Sequence, residues 1–489
     1  MRRQLVAPVV VGVVATVLVA LGTTGLSYTG FGATRADSTE PIRWVGRILM
    51  LVGLPMTVAA WWLARRLRGG WQWAALALWS LPLLFVAPVL SRDMYAYAEQ
   101  GFLVLQGLDP YTVPMGSRGG PFADLVDVFW RGTTTVYPPG ALWVQKLVVA
   151  ASGAHPYWSV VAMRVPAILS LAVMGVLVPR VAAAYGVDRD AARWAVLLNP
   201  LAVLHIVGGG HNDALAAALA VVAVWLACPR TNGGRHWGWL VACFIAGVAA
   251  TIKQPLGLVV AGAAAFAVPA AVGGWRRLGD LVARGLVGTV IAAVGFAAVT
   301  LGSGLGLGWL TGTGAPFSVK TTAPASLIAD AISLTGLVPF AEALRWTGPV
   351  VLLLGAAAIG YWTWITLWPS TGAPNPAMRG VGPGPVAGPL VFLAGAFLLL
   401  VVSLPGFQPW YLLWGGAYAA AVGWFDRFRR WVTAIVAFCL TVAWLTECVG
   451  VAPLWSALLA VAVASLAARL SPLGFLAGSS PVIAERDPA

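Results

Sequence analysis

Residues 5–22 read LVAPVVVGVVATVLVALG, without a single charge. A helix needs about 20 apolar residues to cross the hydrocarbon layer of a bilayer. The same pattern recurs over residues 45–63, 71–90, 157–179, 191–207, 211–228, 237–252, 256–272, 283–301, 347–367, 386–404, 411–425, 431–447 and 452–469, giving fourteen expected spans. Composition agrees, with 60% of the 489 residues hydrophobic and 10% charged, an excess that no soluble core of this size requires. Only helices and closed barrels satisfy their backbone in lipid, and the alternation of a barrel strand is absent. The expected fold class is therefore all-α, a polytopic membrane helix bundle forming one domain over residues 1–489. Residues 139–152 are apolar but short and carry Gln145 and Lys146 near their middle, so they read as an interfacial or re-entrant helix.

Charge then sets the sidedness. With a cytoplasmic N-terminus, 19 basic residues fall on inner segments and 10 on outer ones, leaving Arg164 within a span. Acidic residues divide 6 inside and 11 outside. The net charge of +13 is thus a positive-inside pattern and not a nucleic-acid footprint, because no soluble domain presents a basic face. This predicts a multi-pass protein of the cell membrane with both termini cytoplasmic, including a tail at 470–489. The long outer loops would be 91–156 and 302–346, and a Pro/Gly-rich inner linker would run over 369–388. Arg2 and Arg3 precede the first apolar run as in a signal peptide, but the run is as long as a span and no small-residue cleavage site follows, so it reads as a retained anchor. Four cysteines (Cys228, Cys243, Cys439, Cys448) have no paired spacing and indicate neither a disulfide framework nor a zinc site.

The first long loop opens SRDMYAYAEQGFLVLQGLDPY, residues 91–111, which puts Asp93 at the outer end of a span, followed by Tyr95, Tyr97 and Glu99. A carboxylate fixed there is placed to take a proton from an incoming hydroxyl. The alternative is that it caps the following helix, with Arg92 as a surface partner. Residues 208–213, GGGHND, sit at an outer corner where glycines let the backbone approach a ligand. His211, Asn212 and Asp213 carry the donors and acceptors that sugar hydroxyls need, or simply cap the next span. Gln408, Trp410 and Tyr411 stand at another outer helix end, where belt anchoring alone accounts for the aromatics.

In order along the chain, RDMYAYAEQG and GLDPY, VYPPG (136–140), MRVPAILS (163–170), LNPLAVLHIVGGGHND (198–213 and the preceding Leu197), TIKQP (251–255) and FQPWYLLW (407–414) resemble the GT-C class of polyprenyl-phosphate-dependent glycosyltransferases. Within that class they are similar to the polyprenyl-phosphomannose-dependent α-1,6-mannosyltransferases that build the mannan backbone of envelope lipoglycans. The resemblance covers most of the chain. It implies an inverting transfer of mannose from polyprenyl-phosphate-mannose to a mannoside or lipoglycan acceptor, with Asp93 as general base. Two spans precede the one leading to Asp93, where the simplest members of the class have one.

With that donor in view, Lys253 at the turn of a helical hairpin is expected to hold the lipid phosphate and stabilise it as it leaves, the alternative being a lysine that snorkels to the interface. Arg164, costly within a span, is expected to pair with an acid or with the same phosphate. Tyr95, Tyr97, His211, Asn212, Asp213, Gln408, Trp410 and Tyr411 would line the sugar and acceptor site, and Lys320, Thr321 and Thr322 are further candidates for acceptor contact. No metal or other cofactor is expected, and no nucleotide cradle is visible on the inner side. A related transferase of another lipid-linked sugar, such as a pentose, remains the nearest alternative. A secondary transporter or flippase is more distant, since the candidate residues cluster at outer helix ends and not at the bilayer midplane.

Overall fold

The computed structural model describes residues 2–26, 39–231, 233–269, 272–312, 319–368 and 388–470. The tail beyond residue 470, most of the 369–388 linker and residues 313–318 of the second long loop lie outside the described residues. The described residues form helices and no strands. By length and composition seven helices suffice to cross a membrane, or eight if one bent pair counts as a single span. Four further apolar helices of 10–17 residues accompany them.

In chain order, α1 (Arg2–Leu26) pairs with α2 (Glu40–Ala64), and α3 (Gly70–Ser80) packs against α1. The first long loop carries α4 (Asp93–Leu105) and α5 (Pro139–Ala151). Next come α6 (Arg164–Ala184), α7 (Arg189–Leu197), α8 (Asp213–Ala227), α9 (Gly238–Ala250) and α10 (Val259–Ala267). The remainder is built from α11 (Gly274–Ser303), α12 (Pro324–Ser333), α13 (Phe340–Leu367), α14 (Gly388–Ser403), α15 (Leu412–Ala421), α16 (Arg429–Ala443) and α17 (Pro453–Leu470).

Burial separates these helices into two groups. Alanine dominates the inward positions of α8, where Ala214, Ala216, Ala217, Ala220 and Ala223 are buried and let neighbouring helices come close. By contrast α11 and α13 expose large apolar side chains, among them Leu301 at 81% and Leu353 at 71%. A row of leucines turned outward on a long helix is unfavourable in water and is what a lipid-facing surface requires.

Several expected spans are interrupted, each for a local reason. The span expected at 71–90 ends as an α-helix at Ser80, passes through a 3₁₀ turn at Leu81–Leu83 and then runs irregularly, with Pro82 and Pro88 inside it. The span expected at 191–207 bends by 53° between α7 and a π-turn at Ala202–Gly208, around Asn199 and Pro200. The segment expected at 411–425 is split into the ten residues of α15, behind a 3₁₀ turn at Pro409–Tyr411, and the start of a one-turn helix at Trp424–Arg427. The last of these breaks lines the cavity described next, while Pro88 of the first and His205 of the second line two smaller neighbouring cavities. The helix expected at 139–152 is present as α5 and packs on α4 at Gly101, where a Cβ atom would stand 2.5 Å from the Gln145 carbonyl oxygen.

Candidate active site

The helix α4 begins at Asp93, whose backbone N–H donates to the Ser91 hydroxyl at 3.1 Å. Its carboxylate does not cap the helix. Oδ2 lies 3.4 Å from His211 Nδ1 and accepts from the Tyr97 hydroxyl, one turn along, at 3.5 Å. Tyr97 in turn meets the Tyr137 hydroxyl at 3.3 Å and His211 Nδ1 at 3.5 Å. The His211 ring is fully buried and stacks on Trp410, with centroids 3.5 Å apart. Gly210, at φ +59°, makes the left-handed turn that delivers His211, and a side chain there would strike Met94.

Lys253 follows the end of α9, where Pro255 turns the chain into α10. Its ammonium pairs with Asp213, the first residue of α8, at 3.3 Å, and donates to the Tyr411 hydroxyl at 3.5 Å. Asp213 also accepts from Trp414 Nε1 at 3.1 Å. Around the ammonium stand the rings of Tyr411, Tyr137 and Trp414 at 4.6, 5.2 and 5.9 Å, a distribution that stabilises a partly desolvated cation. The ammonium reaches both Asp213 oxygens, Oδ1 at 3.3 Å and Oδ2 at 3.4 Å.

Asp93 and Lys253 both face a cavity of about 450 Å³, lined also by Tyr97, Tyr137, Gln408, Trp410, Tyr411 and Trp414. Burial pushes the Asp93 carboxyl up, but the hydrogen bond and charge of His211, the Lys253 ammonium and the Ser91 contact together outweigh it and hold the group below its ordinary value of 3.8. The site therefore offers an ionised carboxylate at one wall and a caged ammonium at another. Among the described residues no three His, Cys, Asp or Glu side chains gather in a metal-sized group.

Asp93, Tyr97, His211, Asp213, Lys253, Gln408, Trp410 and Tyr411 thus come together from four separate stretches of chain. Three expected residues do not join them. The Arg164 guanidinium is buried and donates to the carbonyls of Leu84, Val86, Ala87, Val207 and Gly208 at 2.8–3.2 Å, so its donors are committed to backbone and not to an acid or phosphate. The broken spans at 84–87 and 207–208 leave carbonyls that only such a fork can satisfy in an apolar setting. Tyr95 faces a different cavity, with Arg92 and Asp124. Asn212 lines a small pocket beside Gln145, apart from the main one. Glu99 is fully buried, and burial pushes its carboxyl up to about 7. Asp109 accepts from the Tyr111 N–H in a local turn.

Tyr137 and Trp414 belong to the site without having been singled out from sequence, although both stand within motifs quoted above. An aromatic among 25 tryptophans and 10 tyrosines carries no individual signal.

The family model for "Alpha-(1->6)-mannopyranosyltransferase, N-terminal domain" matches residues 9–269, which hold Asp93, Tyr137, His211, Asp213 and Lys253. The chain is 30% identical over 412 residues to alpha-(1->6)-mannopyranosyltransferase A of Mycobacterium tuberculosis, covering 79% of this chain and 73% of that protein. The chain belongs to the alpha-(1->6)-mannopyranosyltransferase family. Alpha-(1->6)-mannopyranosyltransferase A of Corynebacterium glutamicum is 28% identical over 379 residues, covering 69% of this chain and 73% of that protein. A second M. tuberculosis relative, alpha-(1->6)-mannopyranosyltransferase Rv1459c, is 28% identical over 489 residues, covering 87% and 80%. No solved structure matches the chain. Family membership and the helical architecture make it a membrane glycosyltransferase. The family model ends before Gln408, Trp410, Tyr411 and Trp414, so the cavity is completed by residues beyond its reach.

Proposed function

We propose that this protein moves mannose from polyprenyl-phosphate-mannose to a mannoside acceptor of an envelope lipoglycan, forming an α-1,6 bond at the outer face of the cell membrane. The observation that carries the reading is the presence, in the lining of one largely apolar cavity, of both the Asp93 carboxylate and the ringed Lys253 ammonium. A donor joined to a lipid needs an apolar approach and a cation for its phosphate, and Lys253 on the cavity wall supplies the cation. The acceptor needs a base. As the acceptor oxygen bonds to the anomeric carbon, the bond from that carbon to the phosphate oxygen breaks, the hydroxyl proton passes to Asp93, and the lipid phosphate departs toward Lys253. Attack on the face opposite the phosphate inverts a β-linked donor to an α-linked product. A carboxylate held below its ordinary pKa is a weak base, which suits a late proton transfer, when bond formation has already acidified the hydroxyl. Tyr97 and His211 fix the carboxylate between them, so its orientation is set before substrate arrives.

The test is direct. Purified protein in nanodiscs is incubated with polyprenyl-phosphate-mannose and a short α-1,6-mannoside, and the product is analysed for chain extension and linkage. An α-1,6-extended product is expected. Extension with a lipid-linked pentose but none with the mannose donor would overturn the sugar assignment.

A further inference from the structure

The main cavity does not end at Trp410. It shares Val319, Thr321, Gln408 and Trp410 with a narrower cavity of about 180 Å³, which reaches His205, Thr446 and Glu447. That one shares Leu90 and Glu447 with a third, of about 400 Å³, bounded by Ser91, Arg92 and Asp124. The three run in series around the start of α4, and their walls change character along the way. Aromatic and apolar residues dominate around Lys253, while beyond Trp410 polar groups make up a larger share of the wall, with His205, Lys320, Thr322, Thr446 and Glu447 standing among Leu90, Phe407, Val442 and Ala443. An isoprenoid tail has no use for the second set, and a polyol does.

One residue marks the polar arm as built for a ligand. His205 is wholly buried, it lines the narrow cavity, and neither ring nitrogen has a hydrogen-bond partner among the described residues. A buried imidazole left without partners is costly, and native structures rarely keep one unless something else completes it. Its ring lies 5.2 Å from that of Trp410, which stacks on His211, which touches Asp93. A sugar held against His205 is therefore two stacked rings, Trp410 and His211, away from the base.

Resting on the mannosyl transfer proposed above, we infer that the acceptor glycan runs through this polar arm, with His205, Gln408 and Glu447 hydrogen-bonding the sugar that precedes the attacking one, and that the donor lipid is confined to the aromatic cavity. His205 and Glu447 are then specificity-determining residues for the acceptor and play no part with the donor phosphate.

The probe is α-1,6-linked mannotriose, titrated by intrinsic tryptophan fluorescence into detergent-solubilised wild type, His205→Phe, His205→Gln and Glu447→Gln, with thermal unfolding recorded on each sample. His205→Phe keeps a ring of similar shape without its polar atoms, and Glu447 opens onto the cavities, so both chains are expected to fold. His205→Phe and Glu447→Gln should each weaken mannotriose binding roughly 10-fold, the loss of about one good hydrogen bond, and His205→Gln should recover part of it. In turnover assays the acceptor KM should rise in parallel while the donor KM stays within about twofold of wild type. Mannotriose binding that is absent in wild type, or unchanged in the variants, overturns the inference, as does a donor KM that rises in place of the acceptor KM. Binding with the expected pattern, but no turnover of polyprenyl-phosphate-mannose by wild type, would sink the proposed donor and leave the acceptor arm standing.

Discussion

An aspartate at the head of a helix has two uses, and at residue 93 its neighbours separate them. A cap would accept from N–H groups of its own first turn, whereas the Asp93 carboxylate turns away to His211 and Tyr97. Asp93→Asn should therefore leave thermal stability and donor binding near wild type while turnover drops by about 10²- to 10⁴-fold, the usual worth of a general base. Near-normal turnover in that variant would return Asp93 to a structural role. Because His211, Lys253 and Ser91 hold the carboxyl below 3.8, the acid limb of the kcat/KM profile should lie under the ordinary carboxylate range. Lys253 is tested by its charge and its shape together. Lys253→Ala should lower kcat/KM for the lipid donor, and Lys253→Arg should keep part of it, since a planar fork retains charge but not the fit among three rings. An alanine variant with unchanged donor kinetics would mean the ammonium serves only Asp213. Glu99 gives a pH signature of another kind. Its folded value of about 7 is raised above 4.5, so its stabilising contribution is complete below 4.5 and is lost as pH rises through 7. In thermal unfolding, Glu99→Gln should gain on wild type above pH 7 and lose that advantage near pH 4, and parallel pH curves for the two proteins would refute it.

Elements matter here mainly where they break. Proline at 82, 88 and 200 stops helices short of a full crossing, and the carbonyls so released would be intolerable in an apolar interior without a partner. Arg164 is that partner, joining the strand of chain that leads to Asp93 with the one that leads to His211. Arg164→Met should cost stability heavily, on the order of 3 kcal/mol or more from several orphaned carbonyls, and Arg164→Lys should not restore it because a single ammonium cannot span the same set. Detergent thermal melts check this directly. A variant that melts normally but needs more donor would show that the guanidinium serves phosphate after all. From sequence the apolar runs were legible because hydropathy is a property of composition over about 20 residues. Their interruptions were not, since 71–90 and 411–425 remain apolar through the breaks, and the prolines alone do not say whether a helix kinks or ends. Arg164 was legible as a buried charge, but which oxygens it served depended on two loops 120 residues apart in sequence coming together, and Val86 with Gly208 at its guanidinium gives no pattern in either loop.

At the scale of the whole molecule, the cavity gathers Asp93 from the first long loop, Lys253 from a hairpin turn and Trp410 from the head of a later helix, with His211 from another turn packed behind Asp93 and Trp410, so all of these ends must lie on one side of the bundle. We propose from the charge pattern that this is the outer side of the membrane. The segments assigned to the opposite ends carry 19 basic residues against 10, and basic residues near helix ends stay in the cytoplasm. A lipid-linked donor is also the kind of substrate that a site facing away from the nucleotide-sugar pool requires. Ser117 is exposed in the same loop that supplies Asp93, and Arg189 is exposed at the start of α7, while the four native cysteines are buried and give little background. In intact cells an impermeant maleimide should label Ser117→Cys, and it should reach Arg189→Cys only after the membrane is permeabilised. Both variants should react once cells are opened, which guards against a silent position. The reverse pattern, with residue 189 labelled in intact cells and residue 117 protected, would turn the cavity to the cytoplasm. Asp93 and Lys253 would then keep their geometry, but the acceptor would have to be a glycan made on the inner face, and an outward-facing lipid donor could no longer be the one they use.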